Sequence, residues 1–218
     1  MSDSQDNRKQ REQDTSLIHI SHSTWQNFVT NCRSCVACPL ASNRTNVVVW
    51  RGSIPAPLML IGEAPGADED AQGLPFVGRS GNLVQSILDA LEISPKTYHI
   101  CNICKCRPPE NRKPTRDEAQ TCKQLHLAEQ FKLVRPKVIV LLGATAYEYF
   151  TNRKDPITQV RGRWIETGNY YVLPTVHPAY ILRNNTKRAI LWDDFALVRK
   201  KLEELNLIQP ATWSEHEN

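Results

Sequence analysis

The chain has no apolar run that approaches the roughly 20 residues a membrane-spanning helix needs. Its first residues, MSDSQDNRKQREQD, also lack the apolar core of a secretory signal peptide. A strong excess of one charge is absent too, because 27 basic and 23 acidic residues give a net charge of +4. These absences predict a cytoplasmic protein outside the membrane, and they permit nucleic-acid binding without requiring it.

Internal repeats and a second domain boundary are also absent, and 218 residues are enough for one well-buried α/β domain. Residues 1–16 are polar and charged without periodicity, which predicts a disordered tail. We expect a single domain over residues 17–206, a frayed tail over residues 207–218, and a monomer.

Short apolar segments alternate with helical patterns along the chain. A hairpin is predicted to join residues 163–166 to the last strand. This alternation predicts an α/β fold with a mainly parallel sheet covered by helices on both faces. The predicted strands are residues 58–61, 98–103, 138–142 and 170–175, and the predicted helices are residues 23–35, 81–91, 116–133, 144–150 and 187–205.

The run from Gly62 to Gly81, GEAPGADEDAQGLPFVGRSG, directly follows the first predicted strand. Ligands in open α/β sheets bind beyond the carboxyl ends of the strands, so this run lies where a site is expected. A glycine-rich loop is by itself typical of an ordinary surface turn. Phe76 stands between two turn-forming segments, where a core residue has little reason to be, and this favours a binding site.

Three polar side chains come at the ends of different predicted strands. Glu63 follows the first strand, Asn102 ends the second, and His177 follows the last. Each alone is more typical of a cap, a turn or a structural contact, but parallel strands bring their carboxyl ends to one edge. A carboxylate, an amide and an imidazole beside an aromatic ring form a pocket suited to a flat, polar heterocycle.

Seven cysteines in such a chain argue against disulfides and for a metal or cluster site. Cys35 and Cys38 form a C-x2-C pair, and Cys106 and Cys122 form a second pair. Four such cysteines hold either a tetrahedral zinc or a [4Fe–4S] cluster, and the spacing does not decide between them. Cys32 stands three residues before Cys35, so Cys32/Cys35 is an alternative first pair.

Two further cysteines, Cys101 and Cys104, fall on the second predicted strand. On a strand, a small apolar filler is the commoner role of a cysteine. We therefore leave both out of the predicted ligand set, and the sequence assigns them no further role.

Taken together, these motifs resemble family 4 uracil-DNA glycosylases, the thermophile-type branch that carries an iron–sulfur cluster. The resemblance covers about residues 35–202 and rests on ordered motifs at compatible spacings. They include CVACPL, RTNVVV, LMLIGEAPG, GLPFVGRSG, KCRPPENR, VRGRW and HPAYILR. The fold that the resemblance implies is a three-layer α/β/α sandwich with a four-stranded, mainly parallel sheet, which agrees with the strand pattern.

The resemblance also implies roles for the residues of the predicted pocket. Glu63 corresponds to the acid that assists the attacking water, and His177 to the histidine that contacts the base. Phe76 corresponds to the ring stacked on uracil, and Asn102 to the amide that reads its pairing edge. Glu69 corresponds to an acid that crowds the C5 position of uracil and so excludes thymine.

Gly62 joins the predicted substrate-binding residues by the same resemblance. It also implies that Cys35, Cys38, Cys106 and Cys122 ligate a structural [4Fe–4S] cluster, with zinc as the weaker alternative. The chain departs from the family at Cys101, where related sequences usually carry threonine.

DNA contacts are predicted on both sides of the pocket. Ser80 and Gly81, at a helix start, are predicted to offer backbone N–H groups to a phosphate. The segment with Tyr180, Leu182 and Arg183 offers apolar wedges followed by a cation, as expected where a flipped base leaves a gap. Four cations near the cysteines are predicted to follow the DNA backbone: Lys105, Arg107, Arg112 and Lys113.

The predicted activity is base-excision repair of uracil-containing DNA, single- or double-stranded. The enzyme would flip uracil out of the DNA and hydrolyse its N-glycosidic bond, leaving an abasic site. The alternatives are a non-catalytic uracil reader and a relative that links covalently to uracil sites. The latter is disfavoured because no Arg-rich, His-containing insertion follows GLPFVGRSG. The sequence leaves open the strand preference, activity on other damaged bases and the role of the N-terminal tail.

Overall fold

A computed structural model of the protein describes residues 22–210. The predicted tail over residues 1–16 lies outside the described residues, as does the part of the predicted C-terminal tail after residue 210. Before that point, Leu207 and Ile208 are partly buried and pack against the core. The Leu207 N–H also donates to the Leu202 carbonyl at 2.9 Å, so packing continues beyond the last helix.

Strands and helices follow one another in the predicted alternating order. The strands are β1 (Arg51–Gly52), β2 (Leu58–Gly62), β3 (Tyr98–Asn102), β4 (Val138–Leu142), β5 (Ile165–Glu166) and β6 (Tyr171–Thr175). The helices are α1 (His22–Arg33), α2 (Ala67–Gln72), α3 (Arg79–Ala90), α4 (Arg116–Cys122), α5 (Ala128–Val134), α6 (Ala144–Thr151), α7 (Ile157–Val160), α8 (Pro178–Arg183) and α9 (Arg188–Glu204). Short 3-10 turns cover Pro39–Ser42, Pro109–Asn111 and Asn185–Lys187.

The strands form one sheet in the order β1-β3-β2-β4-β6-β5. The four central strands are parallel, which confirms the prediction of a mainly parallel sheet. The short strands β1 and β5 pair antiparallel with β3 and β6 at the two edges, so the sheet has six strands rather than the predicted four. Two-residue edge strands are too short for an apolar pattern to mark them.

The core lies on both faces of the sheet, as a three-layer sandwich requires. Met59 and Ile61 of β2 face a cluster that includes residues of α1, α4, α5 and α6. Leu58 and Leu60 face the opposite cluster, formed with α3, α8 and α9. This alternation follows from the two-residue period of a strand. None of the helices within residues 22–210 has both the length and the apolar character needed to cross a bilayer.

The long helix predicted over residues 116–133 is interrupted. Between α4 and α5, residues Lys123–Leu127 form a π-helical turn. Such turns are rare in proteins overall, but those that occur are often found at functional sites. The wider turn redirects the side chains that it carries. Here the turn carries His126, which reaches the cysteines.

Candidate active site

An open cleft of about 740 Å³ lies at the carboxyl edge of the parallel strands. It occupies the edge where the topology of the sheet favours ligand binding. Several residues singled out from the sequence line this one cleft: Glu63, Glu69, Phe76, Ser80, Asn102, His177 and Arg183.

Gly62, the last residue of β2, lies directly under the cleft. A Cβ atom at this position would lie 2.4 Å from Asn102 Oδ1 and 2.7 Å from Phe76 Cζ. Both separations are shorter than van der Waals contact, so only glycine lets the Asn102 amide and the Phe76 ring approach so closely. Gly62 therefore shapes the cleft through the side chain that it lacks.

Replacing Gly62 with alanine should displace Asn102, Phe76 or both, because the added methyl overlaps both side chains. We expect the kcat/KM of the variant to fall about tenfold to a hundredfold. A displacement of active-site groups by about 1 Å can lower a reaction rate by up to about 10²-fold. Gly168→Ala is the matched control. Its Cβ would meet nothing within 4 Å, although its φ of +83° makes the change strained. A Gly62→Ala enzyme as active as the Gly168→Ala enzyme would contradict this prediction.

Phe76 is held in a left-handed conformation, with φ of 57°, and its side chain is 7% exposed. Two neighbours hold this backbone. Arg51 Nε donates to the Pro75 carbonyl at 2.9 Å. Gly81 packs so tightly that a Cβ there would lie 1.9 Å from the Phe76 carbonyl oxygen. The strained turn is thus fixed from both sides, and the ring stays in the cleft.

The Glu69 side chain holds two backbone segments together, a role that its sequence motif did not predict. Its carboxylate accepts a hydrogen bond from the Gly66 N–H at 3.1 Å and another from the Gly78 N–H at 3.1 Å. The first bond caps α2, and the second ties α2 to the residue that precedes α3. Glu69 therefore lines the cleft with both carboxylate oxygens engaged by the backbone.

Asp70, beside Glu69, was not among the predicted site residues. It is 3% exposed and accepts from the Thr45 N–H at 2.9 Å and the Asn46 N–H at 3.1 Å. The carboxylate thus links the RTNVVV segment to the cleft loop. The only sequence signal for Asp70 was its place in the acidic stretch after Gly66, and its partners lie 24 and 25 residues away.

His177 caps the first turn of α8 through its ring. Its Nδ1 accepts the Ala179 N–H at 3.1 Å, so we assign the proton of the neutral ring to Nε2. Burial lowers the pKa of His177, and the nearby Arg183 charge lowers it further. The imidazole is thus neutral near pH 7, with an Nε2–H that is free to donate.

A buried polar contact stabilises the carboxyl end of β6, just before His177. Thr175 Oγ1 donates to Asp194 Oδ2 at 2.5 Å, and Arg161 Nε donates to the same oxygen at 3.0 Å. This contact joins α9 to β6 two residues before His177. The sequence signal for it was the VRGRW motif, which names Arg161 but neither of its partners.

The predicted DNA-binding residues lie near the cleft mouth. Ser80 lies in the first turn of α3 and lines the cleft, whereas Gly81 is buried against the Phe76 backbone. Tyr180, Leu182 and Arg183 belong to helix α8 rather than to a loop. Tyr180 and Leu182 are half-buried, and Arg183 is exposed.

The four cations predicted to follow the DNA backbone have different surroundings. For Lys105 the prediction is wrong, because this side chain is 1% exposed and lies inside the protein. Arg112 forms a bidentate pair with Glu118, and Lys113 Nζ lies 2.8 Å from Glu148 Oε2. Arg107 donates to Asn111 Oδ1 at 2.8 Å.

A second, much smaller cavity, of about 20 Å³, is lined by the cysteines. It draws on the turn after α1, the segment after β3, and α4. All seven cysteines are free thiols, and Cys101 and Cys104 are fully buried outside the lining. The cysteines in the lining are Cys32, Cys35, Cys38, Cys106 and Cys122.

The electrostatics of this cavity differ from one thiol to the next. A hydrogen bond from the Cys104 thiol lowers the pKa of Cys122 to about 7. The Lys105 N–H also donates to Cys122 Sγ at 3.3 Å. Burial raises the pKa of Cys106 to about 11, although Arg44 donates to its sulfur at 3.3 Å.

His126 and Cys32 complete the wall of the cavity. Cys32 is fully buried, and its sulfur lies 3.3 Å from His126 Nδ1. The other ring nitrogen, His126 Nε2, is buried without a hydrogen-bond partner among the described residues. A buried polar atom without a partner is costly, so this ring nitrogen stands out in the wall of the cavity.

Comparisons with known proteins agree on one family. Residues 49–205 match the family described as the uracil DNA glycosylase superfamily. A type-4 uracil-DNA glycosylase of Thermotoga maritima is 46% identical over 166 residues, covering 74% of this chain and 86% of that protein. The type-4 enzyme of Sulfurisphaera tokodaii is 40% identical, covering 77% and 80%, and that of Archaeoglobus fulgidus is 36% identical, covering 82% and 91%. The resemblance inferred from the motifs is confirmed: the chain belongs to the uracil-DNA glycosylase superfamily and, within it, to the type-4 family.

Proposed function

We propose that the protein is a monofunctional uracil-DNA glycosylase that excises uracil from DNA and leaves an abasic site. The observation that carries this proposal is one cleft, lined by Glu63, Phe76, Asn102 and His177, in a type-4 family member. Because the target bond is out of reach inside a duplex, the nucleotide is flipped into the cleft. We take residues 17–206 as the single glycosylase domain, acting as a monomer in the cytoplasm.

Base choice follows from the Asn102 amide. Its N–H donates to O4 of uracil, and its oxygen accepts from N3–H, whereas cytosine presents the opposite pattern. A buried mismatch of donors and acceptors discriminates more strongly than a change in apolar contact. The Phe76 ring, packed beside Asn102 Oδ1 over Gly62, supports a flat base by stacking. Thymine shares uracil's pairing edge, so its rejection is assigned to crowding at C5, with Glu69 as the crowding residue.

The chemistry separates charge between the base and the sugar. As uracil leaves, negative charge develops on the base and the His177 Nε2–H stabilises it at O2. The sugar acquires oxocarbenium character, and the Glu63 carboxylate stabilises this charge and orients the attacking water. The Glu63 backbone is anchored for this work, because its carbonyl accepts the Cys104 N–H at 3.1 Å.

The protonation of His177 gives a direct test of this assignment. We expect the imidazole to titrate below its ordinary value of 6.5, because burial and Arg183 both disfavour the charged ring. As the pH falls, protonation would replace the Nδ1 acceptor with a donor facing the Ala179 N–H. Nitrogen-15 NMR of the imidazole rings would show this, with His177→Gln identifying the resonance. A midpoint at or above 6.5, or a neutral ring protonated on Nδ1, would contradict the assignment.

DNA is proposed to lie across the cleft mouth. The backbone N–H groups of Ser80 and Gly81, in the first turn of the 12-residue helix α3, are suited to a phosphate. Tyr180 and Leu182 would fill the gap that the flipped nucleotide leaves, with Arg183 beside them on a phosphate. The half-buried state of the two apolar side chains supports a wedge that is already held in place.

The cysteine cavity is proposed to hold a [4Fe–4S] cluster ligated by Cys35, Cys38, Cys106 and Cys122. The preference for this cluster over tetrahedral zinc rests on the resemblance to the type-4 enzymes. Bound there, the cluster would cross-link three chain segments. Its cavity shares no lining residue with the cleft, so its role is structural.

The assay for the proposed function is release of free uracil from single- and double-stranded DNA containing one deoxyuridine. Purified, cluster-loaded protein should release uracil and leave an alkali-labile strand. Absence of release would contradict the enzyme and favour a non-catalytic reader, and a stable protein–DNA adduct would favour the covalent relative. Strand cleavage without alkali would contradict monofunctionality. Hypoxanthine and other damaged bases in the same DNA would define the substrate range.

A further inference from the structure

Lys105 is a buried cation at the junction of the two sites. Its side chain is 1% exposed, among the largest fully buried side chains of the described residues. Its ammonium donates to the Asn102 carbonyl at 2.7 Å. Its backbone N–H donates to Cys122 Sγ at 3.3 Å, and its carbonyl accepts the Val48 N–H at 2.7 Å. One residue thus contacts both the strand end that carries Asn102 and a cysteine of the second cavity.

No carboxylate neutralises this ammonium within the part of the chain that the structure describes. The ion pairs of residues 22–210 all involve other cations. The acidic groups whose pKa the Lys105 charge lowers are four thiols, those of Cys32, Cys101, Cys104 and Cys122. A buried charge is costly unless it is paired, so the thiolates of a bound cluster are the counter-charge that this position requires.

Gln130 fixes the ammonium from the other side. Its Oε1 accepts from Lys105 Nζ at 2.5 Å, and its Nε2 donates to the Val49 carbonyl at 3.1 Å. The amide cannot turn over, because Nε2 also donates to His99 Nε2 at 2.8 Å. Burial lowers the pKa of His99 to about 3, so the ring is neutral. Its Nδ1 lies 3.1 Å from the Ser53 carbonyl oxygen and therefore carries the proton, which leaves Nε2 as the acceptor. The Gln130 oxygen therefore always faces Lys105.

The contact with Asn102 closes a short turn beneath the cleft. Lys105 reaches back three residues along the chain, and within this turn the Cys104 N–H donates to the Glu63 carbonyl. The ammonium therefore braces the backbone of both the base-reading amide and the carboxylate. Without it, the buried Asn102 carbonyl would lose its side-chain donor, and the turn would be free to shift.

We propose that Lys105 is a positioning residue for uracil recognition: its buried ammonium holds the Asn102 backbone in register, and its backbone N–H ties the same turn to the cysteine cavity. This inference rests on the proposed uracil site and adds to it a residue that touches neither base nor phosphate.

The test compares binding to two DNAs that differ only in the presence of the base. One carries a 2′-fluorinated deoxyuridine, which resists glycosidic cleavage, and the other carries a tetrahydrofuran abasic analogue. In Lys105→Met we expect Kd for the uracil DNA to rise about tenfold or more, because the Asn102 amide loses its register. Kd for the abasic DNA should stay within about threefold, since a 1%-exposed ammonium cannot contact a phosphate.

Arg199→Met is the matched control for losing a buried cation. Arg199 is 4% exposed and donates to the Leu91 carbonyl, at the opposite end of α3 from the cleft. We expect the Arg199→Met substitution to lower the stability of the protein and to leave both Kd values unchanged. A Lys105→Met protein that binds both DNAs as the wild type does would overturn the proposal. Equal weakening on both DNAs would overturn it too, because that pattern belongs to a general structural role.

Gln130→Met keeps the proposal testable if Lys105→Met does not fold. It leaves the ammonium but removes the acceptor that orients it, so we expect a smaller loss, about threefold, again confined to the uracil DNA. An unchanged preference in this folded variant would overturn the proposal. Iron content and uracil release by the wild-type protein are measured alongside. Absence of iron would contradict the proposed cluster, and absence of uracil release would contradict the proposed activity. The comparison of the variants tests the role of Lys105 separately.

Discussion

Glu63→Gln should lower kcat for uracil release by about 10²–10⁴-fold while leaving DNA binding nearly intact. Glutamine keeps the size of the side chain and some hydrogen bonding. It loses the negative charge that stabilises the cationic sugar and the basicity that orients and activates water. Because that charge acts in the transition state more than in the ground state, the loss should fall on kcat rather than on KM.

Single-turnover kinetics on deoxyuridine DNA, with Kd for the same DNA, would measure this effect. Glu148→Gln is a suitable control, because Glu148 is a nearby carboxylate that pairs with Lys113 at 2.8 Å and does not line the cleft. That variant should keep its turnover and lose at most about 1 kcal/mol of stability. Turnover of Glu63→Gln within tenfold of the wild type would remove Glu63 from the chemistry.

Replacing Cys106 with serine should abolish cluster binding and lower the unfolding temperature strongly. Loss of a structural metal group is among the largest single-residue effects, about 4 kcal/mol or more. For a chain of this size that corresponds to a fall of roughly 10 °C in Tm. The broad visible absorbance of an iron–sulfur protein and the iron content should disappear together, with activity falling as the three linked segments separate.

Two further cysteine variants make this result specific. Cys101→Thr changes a fully buried cysteine that lies on β3 outside the cavity, and it should retain iron. Cys32→Ala should also retain iron, because its thiol is engaged with His126 and the first ligand pair is Cys35 and Cys38. Loss of iron in Cys32→Ala would move the pair to Cys32/Cys35. A colourless wild-type protein that contains zinc would contradict the cluster.

The fold could be predicted from the sequence wherever a local pattern of apolar residues marked a strand or a helix. The apolar runs became buried parallel strands in the expected alternation with helices, and Ile165 and Glu166 of the predicted hairpin pair antiparallel with β6. The interruption of the helix after Arg116 was not predicted, because a single π turn of five residues is too short for its shifted periodicity to stand out in the apolar pattern. The edge strands were missed since two residues show no period.

The cleft was predictable to a similar extent. Glu63, Asn102 and His177 reach one cleft because parallel strands end at the same edge. Their supports were not predictable: Arg51 holds the Phe76 turn, and Asp194 fastens the strand before His177. Arg51 lies 24 residues from its partner Pro75, and Asp194 lies 19 residues from Thr175 and 33 from Arg161. No spacing rule marks such contacts.

The sequence by itself thus determined the strand order along the chain, the edge of the sheet where the cleft lies, and the family. Each of these depends on apolar periodicity or on motifs within short segments. Only the tertiary structure decided that Lys105 is internal, that Glu69 clamps two glycine N–H groups, and that Gly62 matters for the space it leaves. The reason is that burial and hydrogen bonding of polar groups depend on which distant segments meet, and the identity of a residue does not contain that information.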